Sequence, residues 1–162
     1  MTPDEEEYRA AETLLAACRA RGLTLATAES CTGGLVAALL TAIPGASAVF
    51  ERGFVTYSNA AKNETLDVAA DLIATHGAVS REVAEAMAAG ARARAGTSLA
   101  LAITGIAGPE GGSAEKPVGL VWFGLARADG TKAIAKKFVG SRDAIRAAAT
   151  TEAIRLLQEF VI

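Results

Sequence analysis

The chain has little of what most often does chemistry or supplies bulk. Aromatics fill only 5% of its 162 positions, with one Trp, while apolar residues together reach 51%. The core must therefore be aliphatic, built from Ala, Val, Leu and Ile. There is one histidine, His76, in Ala74-Thr75-His76-Gly77, which reads as an exposed helix end. A Ser-His-Asp triad has no other histidine to draw on. Two cysteines, Cys18 and Cys31, make no disulfide framework. With a single histidine they also fall short of a four-ligand zinc site, and no metal or organic cofactor is expected. No run approaches the roughly 18 apolar residues of a membrane helix. The start, Met1 to Glu7, is acidic and lacks a signal peptide's apolar stretch, so a cytoplasmic protein with no membrane partner is expected. Neither charge sign dominates. Sixteen basic and eighteen acidic residues give −2, without the basic excess expected of a nucleic-acid binder.

What is present fits one domain over residues 1–162, long enough to bury roughly 70% of its unfolded surface. Thr2-Pro3-Asp4-Glu5 reads as a capping box with Pro at the first helical position. Tyr8, Ala11, Leu14, Leu15 and Cys18 follow on one helical face, ending at Gly22. Leu23–Ala28 is β-prone, Leu35–Thr41 an apolar helix, and Val49–Tyr57 a second strand bent at Gly53. Asn59 is a candidate cap for a helix carrying Lys62. A short helix near Leu66–Ala74 and a longer one from Arg81, capped by Ser80, precede a third strand, Ser98–Ile106. Val118–Ala126 and Lys132–Val139 form a hairpin turned at Asp129-Gly130. Ser141 caps the last helix. Helices alternating with strands, then a hairpin, predict a three-layer α/β/α fold with a mixed sheet.

Three segments carry candidate chemistry. The first is strand, then Glu29-Ser30-Cys31-Thr32-Gly33-Gly34, then helix. Ligands in open α/β sheets bind beyond the carboxyl ends of strands. Unpaired N–H groups at a helix start can stabilise an oxyanion. Ser30 is then a nucleophile that Thr32 assists, with N–H donors near Thr32, Gly33 and Gly34; the alternative is an ordinary helix cap. The second is Tyr57-Ser58-Asn59-Ala60-Ala61-Lys62. A desolvated lysine can act as a general base, and Ser–Lys pairs replace Ser–His in some hydrolases; the alternative is a solvated lysine beside an interface tyrosine. The third is Thr104 to Ser113, whose Gly105, Gly108, Gly111 and Gly112 can make a backbone nest for phosphate or simply a flexible loop. Downstream, Arg142 or Arg146 offers a charge-assisted bond to an anion.

Four motifs occur together in order: Ala28-Glu29-Ser30-Cys31-Thr32-Gly33-Gly34; Phe54-Val55-Thr56-Tyr57-Ser58-Asn59 with Lys62; Gly77-Ala78-Val79-Ser80; and Thr104-Gly105-Ile106-Ala107-Gly108-Pro109 with Lys116-Pro117-Val118-Gly119. They resemble the CinA C-terminal domain family, the nicotinamide-nucleotide amidohydrolases, from about Tyr8 to Leu157. The resemblance implies a three-layer sandwich around a mixed, mostly parallel five-stranded sheet. It implies hydrolysis of the carboxamide of nicotinamide mononucleotide to nicotinate mononucleotide and ammonia. Ser30 would be the nucleophile, activated by Lys62 and Tyr57, with Thr104, Gly105, Gly111 and Gly112 lining the pocket. Longer members carry a molybdopterin-binding-like domain, whose pyrophosphatase activity is not carried over. Cys31 is a rival nucleophile without a histidine partner. A non-catalytic nucleotide-binding module is the alternative function. The Ala-rich helix around Val83–Ala95 leaves packing against a second copy open.

Overall fold

The computed structural model describes residues 4–161. The expected start at Thr2 and Pro3 lies outside them, but a capping box closes the first helix two residues later, at Asp4. Asp4 Oδ1 accepts from Glu7 N at 2.8 Å, and Glu7 Oε2 accepts from Asp4 N at 3.2 Å. Helix α1 runs Glu5–Ala20 and buries Ala11, Leu14, Leu15 and Cys18, the stripe that the 3.6-residue period selects. Next come β1 (Leu25–Glu29), α2 (Leu35–Thr41), β2 (Phe50–Val55), α3 (Asn59–Leu66), α4 (Ala70–His76) and α5 (Arg81–Ala95). The chain continues through β3 (Leu99–Gly105), β4 (Leu120–Arg127), β5 (Gly130–Lys137) and α6 (Arg142–Val161). No helix among the described residues is long and apolar enough to cross a membrane.

The five strands form one sheet in the order β2-β1-β3-β4-β5. β1 pairs in parallel with β2 and β3, while β4 runs antiparallel to both its neighbours, so four strands share a direction. One apolar cluster joins α1, α2 and α6 to the face that carries Leu25, Leu99 and Leu101. The other joins α3, α4 and α5 to the face that carries Ala26, Ala28, Ala100 and Ala102. This is the expected three-layer sandwich, and small residues on the second face let α5 approach closely. β1 leads to β2 through α2 in one layer, and β2 leads to β3 through α3–α5 in the other. The topology therefore switches direction between β1 and β3, where open α/β sheets leave a crevice.

Three local expectations need correction. The irregularity in β2 lies at Glu51, where Leu25 pairs with Phe50 and Ala26 with Arg52, rather than at Gly53. Ser58, not Asn59, caps α3, its Oγ accepting from Ala61 N at 3.0 Å. The hairpin turns at Ala128-Asp129, with Gly130 already paired to Arg127.

Gly124 marks a close approach of sheet and helix: a Cβ there would lie 2.1 Å from the Ala84 carbonyl oxygen of α5. Gly124→Ala should destabilise the fold by roughly 1–3 kcal/mol, the usual range for overpacking a dense core. Urea denaturation measures this, and an unchanged midpoint would contradict the packing described.

Candidate active site

Adjacent residues at the end of a strand point to opposite faces. Ala26 and Ala28 face the α3–α5 layer, and Ser30 continues that row. Leu25 faces the other layer, and Glu29 continues it. The main chain is pinned here on both sides: Ser30 N donates to Ile103 O, and Thr56 N to Glu29 O, each at 2.9 Å. Ser30 thus emerges at the crevice, and is buried.

Lys62, on the second turn of α3, enters from that layer. Its side chain is 1% exposed, which makes it one of the largest fully buried side chains. The amine Nζ lies 3.2 Å from Ser30 Oγ, 2.9 Å from Thr56 O and 3.3 Å from Tyr57 O. No carboxylate pairs with it among the described residues. Burial therefore pulls its pKa below the ordinary value, with Cys31 opposing in part. A neutral amine has two N–H donors and one lone pair. As an ammonium the group donates to all three oxygens; in its neutral form the two carbonyls would take its two N–H groups and leave the lone pair for the Ser30 hydroxyl.

The turn after Ser30 is held tightly. Gly33 and Gly34 adopt φ of 60° and 101°, which a side chain would resist. Gly33 N donates to Ser30 O at 3.0 Å, and Leu35 N to Thr32 O at 3.2 Å. Val36 N and Ala37 N donate to the two carboxylate oxygens of Glu29, at 2.9 and 3.0 Å. The expectation that Thr32, Gly33 and Gly34 all present free N–H groups is thus corrected for Gly33, while Gly34 N has no acceptor among the described residues. Thr32 is fully buried and its hydroxyl has no partner among the described residues. Arg146 of α6 closes the turn from outside, donating to Cys31 O at 3.1 Å and Thr32 O at 3.3 Å. Sequence reasoning gave Arg146 only an optional anion role and gave Glu29 none. In the turn the Cys31 carbonyl has no main-chain donor among the described residues, but nothing in the sequence ties it to α6.

Cys31 stays a thiol. Burial drives its pKa up to about 11, and Glu29 pushes the same way. Its own N–H, that of Thr32 and Arg146 offset only part of this. A thiol in that state is a poor nucleophile near neutrality.

The remaining predicted residues divide. Tyr57 meets Lys62 through its main-chain carbonyl, whereas its phenol, on a side chain left 59% exposed, accepts from Arg142 Nη2 at 2.8 Å. The expected phenol–lysine contact is therefore absent, because the last residues of the β2 edge direct the ring outward. Arg142 also donates to Gly108 O at 2.8 Å, spanning the distance from β2 to the loop after β3, and no carboxylate among the described residues pairs with it. Thr104 sits at the end of β3 with its hydroxyl on Ala78 O at 2.8 Å, so it fixes the α4–α5 turn. Gly105 packs under Val121, and Gly112 against the backbone of Val118. Gly111 has φ of 88° in the same loop. Lys116 fastens that loop by donating to the carbonyl of His76. The His76 ring lies 3.6 Å from Glu82 and carries no hydrogen bond to Ser30.

The lowered value of Lys62 has a consequence for folding. Between that value and the ordinary 10.5, the unfolded chain binds more protons than the folded one, so stability rises with pH across the interval. The stability difference between wild type and Lys62→Met should therefore shift in favour of wild type from about pH 7 to about pH 10 in urea denaturation. A difference independent of pH would contradict the burial-driven shift.

The family model described as CinA C-terminal domain matches residues 7–161. The "Nicotinamide-nucleotide amidohydrolase PncC" of Escherichia coli K12 is 51% identical over 160 residues, covering 98% of this chain and 97% of that protein. A "CinA-like protein" of Anaeromyxobacter sp. is 53% identical over 147 residues, 91% of this chain. The chain spans only 36% of that longer protein. Among solved structures, the competence/damage inducible protein CihA from Agrobacterium tumefaciens superposes with a TM-score of 0.94 at 43% identity, covering 98% of each chain. Motifs, topology and crevice thus converge, and the chain belongs to the CinA C-terminal domain family.

Proposed function

We propose that this chain hydrolyses the carboxamide of nicotinamide mononucleotide to nicotinate mononucleotide and ammonia. The observation that carries the reading is the buried Lys62 amine 3.2 Å from Ser30 Oγ, with two main-chain carbonyls orienting it. Likeness to the amidohydrolase of Escherichia coli over nearly the full length of both chains supports the substrate.

Ser30 Oγ attacks the carboxamide carbon while Lys62 takes the hydroxyl proton. The oxyanion that forms is met by the open N–H of Gly34 in the turn. Lys62, now an ammonium, protonates the amide nitrogen. The C–N bond breaks, ammonia leaves, and an ester on Ser30 remains. Water then attacks that ester, giving its proton to Lys62, and Ser30 regains its proton as the acid departs. Tyr57 acts through its carbonyl on Lys62 and through its phenol on Arg142. Arg142, exposed and without a carboxylate partner among the described residues, takes the substrate phosphate. Thr32, Gly33, Gly34, Thr104, Gly105, Gly111 and Gly112 shape the pocket around the ring and ribose.

Ammonia release from nicotinamide mononucleotide tests this. Ser30→Ala and Lys62→Met should each reduce kcat by about a thousandfold or more, the scale of losing a nucleophile or its base. Cys31→Ala should keep activity near wild type. Because the base form of Lys62 is needed, kcat/KM should fall as pH drops through its lowered value. Activity surviving Ser30→Ala would refute the nucleophile. Tight binding of the nucleotide without turnover would instead favour a non-catalytic module.

A further inference from the structure

Helix α2 begins without a cap of its own. Its N-cap residue is Gly34, in the left-handed region, with no side chain to accept a hydrogen bond. Yet every donor of its first turn is engaged: Leu35 N by Thr32 O, Val36 N and Ala37 N by Glu29, and Ala38 N by Gly34 O. The cap has been moved to the last residue of β1. Glu29 is 1% exposed, and no cation pairs with it among the described residues. Two N–H bonds and the positive end of α2 are what hold its charge. Burying an unpaired carboxylate is expensive when a Ser or Asp at a helix start would cap more simply.

The placement does something an ordinary cap would not. Glu29 is covalently next to Ser30, and its main chain is locked between β2 and β3. Its side chain reaches over the 30–34 turn to grip α2, closing that turn into a ring. We infer that Glu29 is a positioning residue. Its carboxylate sets where Ser30 Oγ stands relative to Lys62. This inference rests on Ser30 as the nucleophile, as proposed above.

Two variants and two readouts test it. Glu29→Gln keeps the shape but turns one acceptor into a donor facing an N–H. Glu29→Asp keeps the charge but is one methylene short of Val36 and Ala37. Each should lower kcat for ammonia release by about tenfold or more with KM within threefold, as a misplacement of about 1 Å would. Each should slow labelling of Ser30 by a small alkyl fluorophosphonate in the same proportion, while thermal unfolding shows a folded protein. Should Glu29→Gln fail to fold, Glu29→Asp decides alone. Full kcat and full labelling in either folded variant overturns the inference, as does a loss confined to KM. If wild type labels at Ser30 but releases no ammonia, the substrate reading fails and labelling still decides the role of Glu29. Wild type that neither labels nor turns over overturns the inference as well.

Discussion

An amine buried without a counter-charge is the constraint on which the rest of this structure depends. A lysine that is 1% exposed is tolerated only if its polar end is fully bonded. Here the bonds come from Thr56 O and Tyr57 O at the end of β2 and from Ser30 at the end of β1. Those three groups meet because β1 and β2 are parallel neighbours ending at the same level and α3 starts directly after them. A carboxylate in their place would favour the charged form of the lysine. Carbonyls satisfy its hydrogens without supplying a charge.

The opposite face of the same strand end solves the complementary problem. Ser30 and Glu29 are neighbours in sequence and point into different layers. One meets the amine brought by α3; the other meets the N–H groups of α2. Arg146 adds a third hold on the turn from α6. The turn after β1 is therefore held from three helices, α2, α3 and α6. Arg142 and Tyr57 are joined by a hydrogen bond and still accessible.

Much of this was legible in the residues. The amphipathic stripe of α1, the apolar run of α2 and the strand–turn–helix around Ser30 all follow from local pattern. With one histidine in the sequence, Lys62 was the candidate base the residues offered, and the fold places its amine 3.2 Å from Ser30 Oγ. What was not legible depends on which face a side chain takes. Nothing local says that Glu29 turns back onto α2, since acidic residues before a helix more often cap it from the N-cap position itself. Nothing local says that the Tyr57 phenol turns away from Lys62 while its carbonyl turns toward it. Arg146 lies 115 positions from the carbonyl of Cys31, a pairing that only the packing of α6 creates.

The account stands or falls on an ester at Ser30. Acid quenching during turnover of nicotinamide mononucleotide, followed by peptide mapping, would detect it. The account predicts a nicotinate mononucleotide acyl group on the peptide containing Ser30 and on no other. An acyl group on Cys31, or steady turnover that never loads Ser30 even when hydroxylamine is present to intercept the ester, would contradict it.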